Sequence, residues 1–471
     1  MTEHSGRASV HLRYLVIVAL VAAIGGLLFG YDTAVINGAN VFLRAHFDIA
    51  DDAVYGWVCS SALVGCILGA AVAGFLGDSV GRRRSLLICA ILYTVSAVGS
   101  ALATGVSEFV IYRIVGGVGV GAASMLSPIY IAEISPAFLR GRLVSLNQLA
   151  IVVGILLAFF ANYFIQSYGH DRLVGQQAWN VVSGWRWMFG SESFVALAFF
   201  GLLLLVPNSP RFLMARGKEK EARVVLSKVA VPAYVDRQID EIAAALREEP
   251  GTLQDLLRPG MKIVLLIGVA LAIFQQWTGI NAIMYYSTNI FEQAGFSGDV
   301  AFASSVAVGL TNLVMTFVGI ALVDRLGRKP LLIAGASVQA VALTAVAVAF
   351  ASDAQGWWVL VSVLAYVGAF SASLGPVVWV VISEIFPTKI RARAMSVATL
   401  ALWTACYLLS QTFPMLAKAL TPAGVFGCYA CMCVLCVVFV AKVLPETKGR
   451  SLEDIEKTWL HDAGRRSDGA M

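Results

Sequence analysis

Charge is scarce in this sequence: Asp, Glu, Lys and Arg together make up 13% of its 471 residues, about half the share of a soluble domain. Polar stretches are equally scarce, and about Pro207 to Pro259 is the one long example. With 59% hydrophobic residues and a mean hydropathy of +0.79, a soluble fold would have no interior large enough to hide the apolar surface. A bilayer removes that problem. No nucleophile–base pair or metal triad stands out, which argues against a membrane-embedded enzyme. Cys59, Cys66, Cys89 and Cys406 lie within apolar runs and read as packing residues rather than a disulfide framework.

Two features imitate cofactor sites. Gly116-Gly117-Val-Gly119-Val-Gly121 lacks the preceding strand, the Lys-Ser/Thr and the ribose-binding acid of a nucleotide loop. Small residues in a spanning helix permit close helix packing instead. Cys428, Cys431, Cys433 and Cys436 share one apolar run, and a single helix cannot wrap four ligands around zinc. No cofactor or metal is expected.

A spanning helix needs roughly 20 mostly apolar residues. Twelve such segments centre near Ala23, Leu68, Thr94, Gly119, Gly154, Phe199, Phe274, Leu310, Val341, Val367, Leu402 and Val434. The first, about Leu12 to Gly30, is too long for a signal-peptide core and is read as a retained helix. Basic residues crowd alternate loops: Arg82 to Arg84, Arg140 and Arg142, Arg211 to Lys262, Arg325 to Lys329, and Lys389 to Arg393. By the positive-inside tendency these loops and both termini are cytoplasmic. The net charge of +5 is therefore a topology signal, not a nucleic-acid footprint. The predicted organisation is an N-terminal six-helix bundle over 1–206, a cytoplasmic helical linker over 207–260, a C-terminal six-helix bundle over 261–444 and a cytoplasmic tail over 445–471. Within the linker, Lys218 to Ala230 and Tyr234 to Arg247 have helical spacing with charge pairs four apart.

The two bundles repeat each other. Asp78-x-x-Gly81-Arg82-Arg83 recurs as Asp324-x-x-Gly327-Arg328-Lys329, and Glu133-Ile-Ser-Pro136-x-x-x-Arg140-Gly-Arg142 as Glu384-Ile-Phe-Pro387-x-x-x-Arg391-Ala-Arg393. Internal repeats with a site between them are a transporter signature. The chain resembles the major facilitator superfamily in its sugar porter branch, and within it the bacterial proton–xylose and proton–galactose symporters and the glucose facilitators. The likeness runs from about Tyr14 to Lys457. It rests on Gly30-Tyr31-Asp32, the paired loops above, Asn208-Ser209-Pro210-Arg211, Gln275-Gln276-x-x-Gly279-x-Asn281, Gly375-Pro376-x-x-Trp379 and Pro445-Glu446-Thr447-Lys448-Gly449. Asn208 departs from the pattern, which usually has Glu there. The resemblance implies an all-α membrane protein of twelve helices in two pseudo-symmetric halves that works as a monomer in a bacterial inner membrane.

Ionisable residues at bilayer depth are expensive and mark function. At about 1.5 Å per residue, Asp32 in the first span, Arg113 in the fourth and Glu192 in the sixth fall at one level, in the outer third. A shared level points to contact. One outcome is a static salt bridge. The other is proton coupling, with Asp32 accepting the proton, Arg113 as a switchable partner and Glu192 assisting; the resemblance implies this one. A sugar presents hydroxyls and apolar ring faces, which suit amides and aromatics. Gln275, Gln276 and Asn281 cluster in the seventh span, where Gly279 could loosen the helix. Gln148, Asn312 and Trp379 lie in the fifth, eighth and tenth. Buried amides also bond helix to helix, but these six positions match the sugar contacts that the resemblance implies, and Tyr285 matches a tyrosine that lines or gates the site. Leu402 and Cys406 replace amides common in the family, and Ile155 a glutamine of the xylose symporter, so the choice among hexose, pentose and polyol stays open. The resemblance further implies a cytoplasmic latch of Arg82, Glu133 and Arg140 in the first half and Arg328, Glu384 and Arg391 in the second; simple loop electrostatics is the alternative. Pro128, Pro376 and Pro414 are expected to kink their helices. The expected activity is import of sugar with protons. The rivals are a passive facilitator in which Asp32 is structural and a sugar sensor that does not transport.

Overall fold

A computed structural model describes residues 11–229, 232–247, 254–258, 261–352, 356–386 and 390–448. The first half comprises α1 (Leu12–His46), α2 (Asp52–Val80), α3 (Arg82–Leu102), α4 (Val106–Ile134), α5 (Ala137–Gly169) and α6 (Trp185–Leu203). A two-stranded hairpin (Leu173–Val174 with Gln177–Ala178) and a π-helical turn (Asn180–Gly184) lead into α6. Three short helices follow, α7 (Pro210–Ala215), α8 (Glu219–Ser227) and α9 (Pro232–Arg247). The second half comprises α10 (Met261–Trp277), α11 (Ile280–Gln293), α12 (Gly298–Leu326), α13 (Arg328–Ala351), α14 (Trp357–Ala372), α15 (Leu374–Ile385) and α16 (Arg391–Val443).

These elements make twelve spans. Helices α10 and α11 form a broken seventh span, and α14 and α15 a broken tenth. α16 turns back on itself at Thr421, whose φ of 60° and ψ of 162° lie just before Pro422 and separate the eleventh span from the twelfth. α6 is the sixth span, short at 19 residues. Of the expected kinks, Pro128 and Pro414 sit inside continuous helix. The tenth span breaks at Ser373, ahead of Pro376.

Packing follows small residues. A side-chain carbon on Gly117 would meet Ala62 O at 1.9 Å, and one on Gly121 would meet Cys66 O at 2.1 Å. The glycine run of α4 thus lets α2 approach backbone to backbone, the purpose small residues serve in bilayers. Charge sets the ends. Asp51 caps α2 by accepting from Ala53 N at 2.6 Å and Val54 N at 3.2 Å, and Ser209 caps α7 by accepting from Phe212 N at 3.1 Å. Helices α7 to α9 bury Leu213, Ala222, Val225, Leu226, Val235 and Ile239 in a small cluster of their own. Arg223 pairs with Glu219 one turn back on α8 at 2.8 Å and also with Asp236 on α9. Of the predicted tail, residues after Lys448 lie outside the described residues, as do Pro387 and Lys389 of the second repeat motif.

Candidate functional site

Among the described residues, three charged side chains are buried in the spans, and all belong to the first half: Asp32 on α1, Arg113 on α4 and Glu192 on α6. Arg113 meets Asp32 with both amino groups; Nη1 donates to Oδ1, and Nη2 to Oδ2 at 3.3 Å. The ring of Phe189, one turn before Glu192, lies 5.2 Å from the guanidinium carbon. Tyr31 Oη and Ser191 Oγ, 2.7 Å apart, tie α1 to α6 beside the charges. Glu192 adjoins Asp32 and Arg113. Glu192 is thus a second carboxyl buried beside the Asp32–Arg113 pair.

The amides form a chain around the break in the seventh span. Gly279, between α10 and α11, has a φ of 103°, a left-handed conformation open to glycine. Gln276 Nε2 donates to Gln275 Oε1 at 3.4 Å. Asn281 Nδ2 donates to Gln276 Oε1 and, at 3.1 Å, to Cys406 Sγ. Gln275 Nε2 reaches the other broken span, donating to Leu374 O at 3.0 Å and Gly375 O at 3.1 Å. Asn312 Oδ1 accepts from Ser371 Oγ at 2.8 Å, two residues before that break. Gln148 on α5 and Trp379 on α15 are half-buried, and among the described residues neither joins this chain. Tyr285, buried on α11, lies within electrostatic reach of both Asp32 and Arg113, so the amide cluster and the charge cluster adjoin. Leu402, Cys406 and Ile155 are buried, and Cys406 Sγ lies at the Asn281 amide.

The basic end carries two matching ionic sets, and the pairs named below each lie within one half. Arg82 Nη2 meets Glu133 Oε1 at 3.0 Å, and Nη1 meets Asp78 at 2.8 Å. Arg328 Nη2 meets Glu384 Oε1 at 2.8 Å. Arg140 donates to Ala132 O at 3.2 Å and Arg391 to Phe386 O at 3.2 Å, so each holds the end of the helix that carries its half's glutamate. Sequence reasoning missed the third partners. Ser209 Oγ donates to Glu133 Oε2 at 2.5 Å, and Thr447 Oγ1 to Glu384 Oε2 at 2.6 Å. Glu446 accepts from Arg328 N and Lys329 N, each at 3.0 Å, and so caps α13. Burial works to raise the Glu446 pKa, but the backbone N–H donors of Lys448, Arg328, Lys329 and Thr447 outweigh it and hold the carboxyl below its ordinary value.

Polar contacts joining the two halves cluster at the opposite end. Asn37 clamps α11, donating to Ser287 Oγ at 2.9 Å and accepting from Thr288 N at 3.0 Å. Asn40 donates to Tyr285 O at 2.7 Å. Gln411 accepts from Ser60 Oγ at 2.9 Å and donates to Ala53 O at 2.9 Å. Lys418 meets Asp52 at 3.2 Å, and Gln166 donates to Asp299 at 2.8 Å. These residues were also missed; the signal available was Asn37-x-x-Asn40, two amides one turn apart in an apolar span. With the halves joined here, the bundle is closed at the end away from its basic loops.

Known proteins agree with this architecture. The family model described as "Sugar (and other) transporter" matches residues 18–459. The D-xylose-proton symporter of Escherichia coli K12 is 44% identical, over 95% of this chain and 96% of its own. The arabinose-proton symporter of Bacillus subtilis is 38% identical, over 95% of each chain. A solved structure of the E. coli xylose transporter XylE in a partially occluded inward-open conformation superposes with a TM-score of 0.84 at 42% identity, covering 93% of this chain and 100% of that one. The chain belongs to the sugar transporter family, with the twelve-helix fold of the major facilitator superfamily.

Proposed function

We propose that this protein is a proton-coupled symporter of a monosaccharide or related polyol, working by alternating access across a bacterial cytoplasmic membrane with both termini cytoplasmic. The observation that carries the reading is the buried contact of Asp32 with Arg113, with Glu192 beside it and the uncharged amide cluster adjoining. Asp32 is the proton acceptor. When Arg113 holds it, its negative charge is stabilised and the proton leaves; when movement of the second half shifts Tyr285 and the Arg113 side chain swings off Asp32 within the first half, the proton returns. Glu192 holds the balancing charge. Tyr285, in electrostatic reach of Arg113 and on the same half-helix as the amides' break, links sugar occupancy to the position of the guanidinium.

The sugar is held by Gln148, Gln275, Gln276, Asn281, Tyr285, Asn312 and Trp379. Amides serve both the donor and the acceptor side of each hydroxyl, and Trp379 covers a ring face. The apolar character of Leu402, Cys406 and Ile155 favours a substrate with few hydroxyls facing them. Relatives named for xylose and arabinose support a pentose as the first substrate to try. Arg82 with Glu133 and Arg328 with Glu384, oriented by Arg140 and Arg391, brace the cytoplasmic ends that part as the inner side opens. The protein acts as a monomer, with the site between the halves of one chain.

Asp32→Asn tests this. Glu192 stays beside Arg113 in the variant, so the guanidinium keeps an acidic neighbour and the fold survives. In energised membrane vesicles the variant is expected to lose accumulation of D-xylose above the external concentration and to keep sugar–sugar counterflow. Undiminished accumulation contradicts the reading and leaves a passive facilitator.

A further inference from the structure

The two broken spans reach into each other's breaks. Gln275, on the seventh, donates to the carbonyls of Leu374 and Gly375, where the tenth resumes after Ser373. Tyr366, on the tenth, donates its hydroxyl to Thr278 O at 3.0 Å, where the seventh is interrupted. Backbone groups freed by a break inside a membrane need such partners, and Tyr366 is fully buried. A third side chain closes the seventh-span break from behind. The ring of Tyr429 lies where a side chain on Gly279 would sit, 2.7 Å from the ideal Cβ position. With Gly279 in the left-handed region, the kink is held by neighbours and not by its own helix.

We infer that Tyr366 on α14, bonded to the break ahead of α11, is a positioning residue that, with Gln275 on α10, bonded to the start of α15, ties the two breaks together so that the half-helices α11 and α15 beyond them move jointly. The two segments serve opposite ends of the molecule. α11 carries Tyr285, Ser287 and Thr288, the partners of Asn37 and Asn40 in the closure between halves. α15 carries Trp379 and Glu384, the partner of Arg328 at the basic end. A tie between the breaks therefore ties the two gates. The inference rests on the reading of Gln275 as a sugar contact in one respect: a hydroxyl that recruits the Gln275 amide takes it from Leu374 and Gly375 and leaves the Tyr366 bond as the remaining polar tie. Sugar binding then loosens one gate segment against the other.

Tyr366→Phe removes the hydroxyl and keeps the ring. It is examined in the full chain in lipid nanodiscs by backbone hydrogen exchange, and in proteoliposomes with D-xylose as the probe. Amides over 279–284 are expected to exchange about tenfold faster in the sugar-free variant, the scale of one lost buried hydrogen bond, with the rest of the chain unchanged. For D-xylose uptake kcat is expected to fall about fivefold with KM within about twofold, because the residue aligns the gates and does not touch sugar. Unchanged exchange at 279–284 overturns the lock, and so does a rise in KM at constant kcat. A wild type that carries no D-xylose counts against the proposed substrate; the exchange measurement still decides the lock.

Discussion

The two halves share a plan and divide the chemistry. Among the described residues the first half holds the buried charges, Asp32, Arg113 and Glu192, on unbroken helices; the second holds none and has two of its spans broken, at Gly279 and Ser373. The reason is physical. A charge pair needs fixed geometry to repay its desolvation, so it sits where helices are continuous. A sugar site needs amides and movable backbone, and the proposed one lies where helices are interrupted and neighbours such as Tyr366 satisfy the freed groups. On the proposed reading, coupling belongs to the first half and recognition, Gln148 apart, to the second.

The difference predicts opposite phenotypes for variants on the two sides. Asn281→Ala removes an amide that bonds to Gln276 and Cys406. It is expected to raise the KM for sugar by about tenfold or more and to leave the accumulation ratio at saturating sugar unchanged, the reverse of the Asp32→Asn phenotype. Uptake titrations at a fixed proton gradient separate the two; a fall in accumulation ratio without a change in KM would break the division.

The basic ends sharpen the comparison further, because their sets match at all positions but one. Arg82, Glu133 and Ser209 correspond to Arg328, Glu384 and Thr447. Glu446, which caps α13, corresponds to Asn208, whose Oδ1 is buried with no partner among the described residues; α3 starts at Gly81 with no side-chain cap of its own. Asn208→Glu is expected to supply that cap and stabilise the first half by about 1 kcal/mol, read as a higher melting temperature in detergent. A lower one would show that the two ends are not equivalent. The smallest effect concerns pH. Because the Glu446 carboxyl is held below its ordinary value, its cap contributes fully above about pH 4.3 and is lost as pH falls through the depressed native value. The melting-temperature gap between the wild type and Glu446→Gln is expected to hold steady from pH 8 to 5 and to shrink below about pH 4; a gap that grows on acidification contradicts the cap.

Much of this was legible in the sequence. The spans are long apolar runs, and the meeting of Asp32, Arg113 and Glu192 follows from helical rise alone. Gly279 marked the first break because glycine permits a left-handed residue. The second break was marked only nearby: Pro376 was expected to kink the tenth span, and the helix is interrupted three residues earlier, at Ser373, which carries no backbone licence. Asn37 and Asn40 were visible as paired amides, but their closure on α11 was not, because an amide in an apolar run does not name its partner. Ser209, Thr447 and Glu446 escaped for a different reason. Their partners are more than 60 residues away, and only the path of the chain past the ends of α6 and α16 brings them back.

The central claim is that a proton bound at Asp32 travels with the sugar. The direct measurement is proton flux on sugar addition to de-energised proteoliposomes with a pH-sensitive dye outside. Wild type is expected to alkalinise the outer medium in step with D-xylose entry, and Asp32→Asn to take up the sugar with no pH change. Sugar entry through the wild type without proton movement would contradict the account.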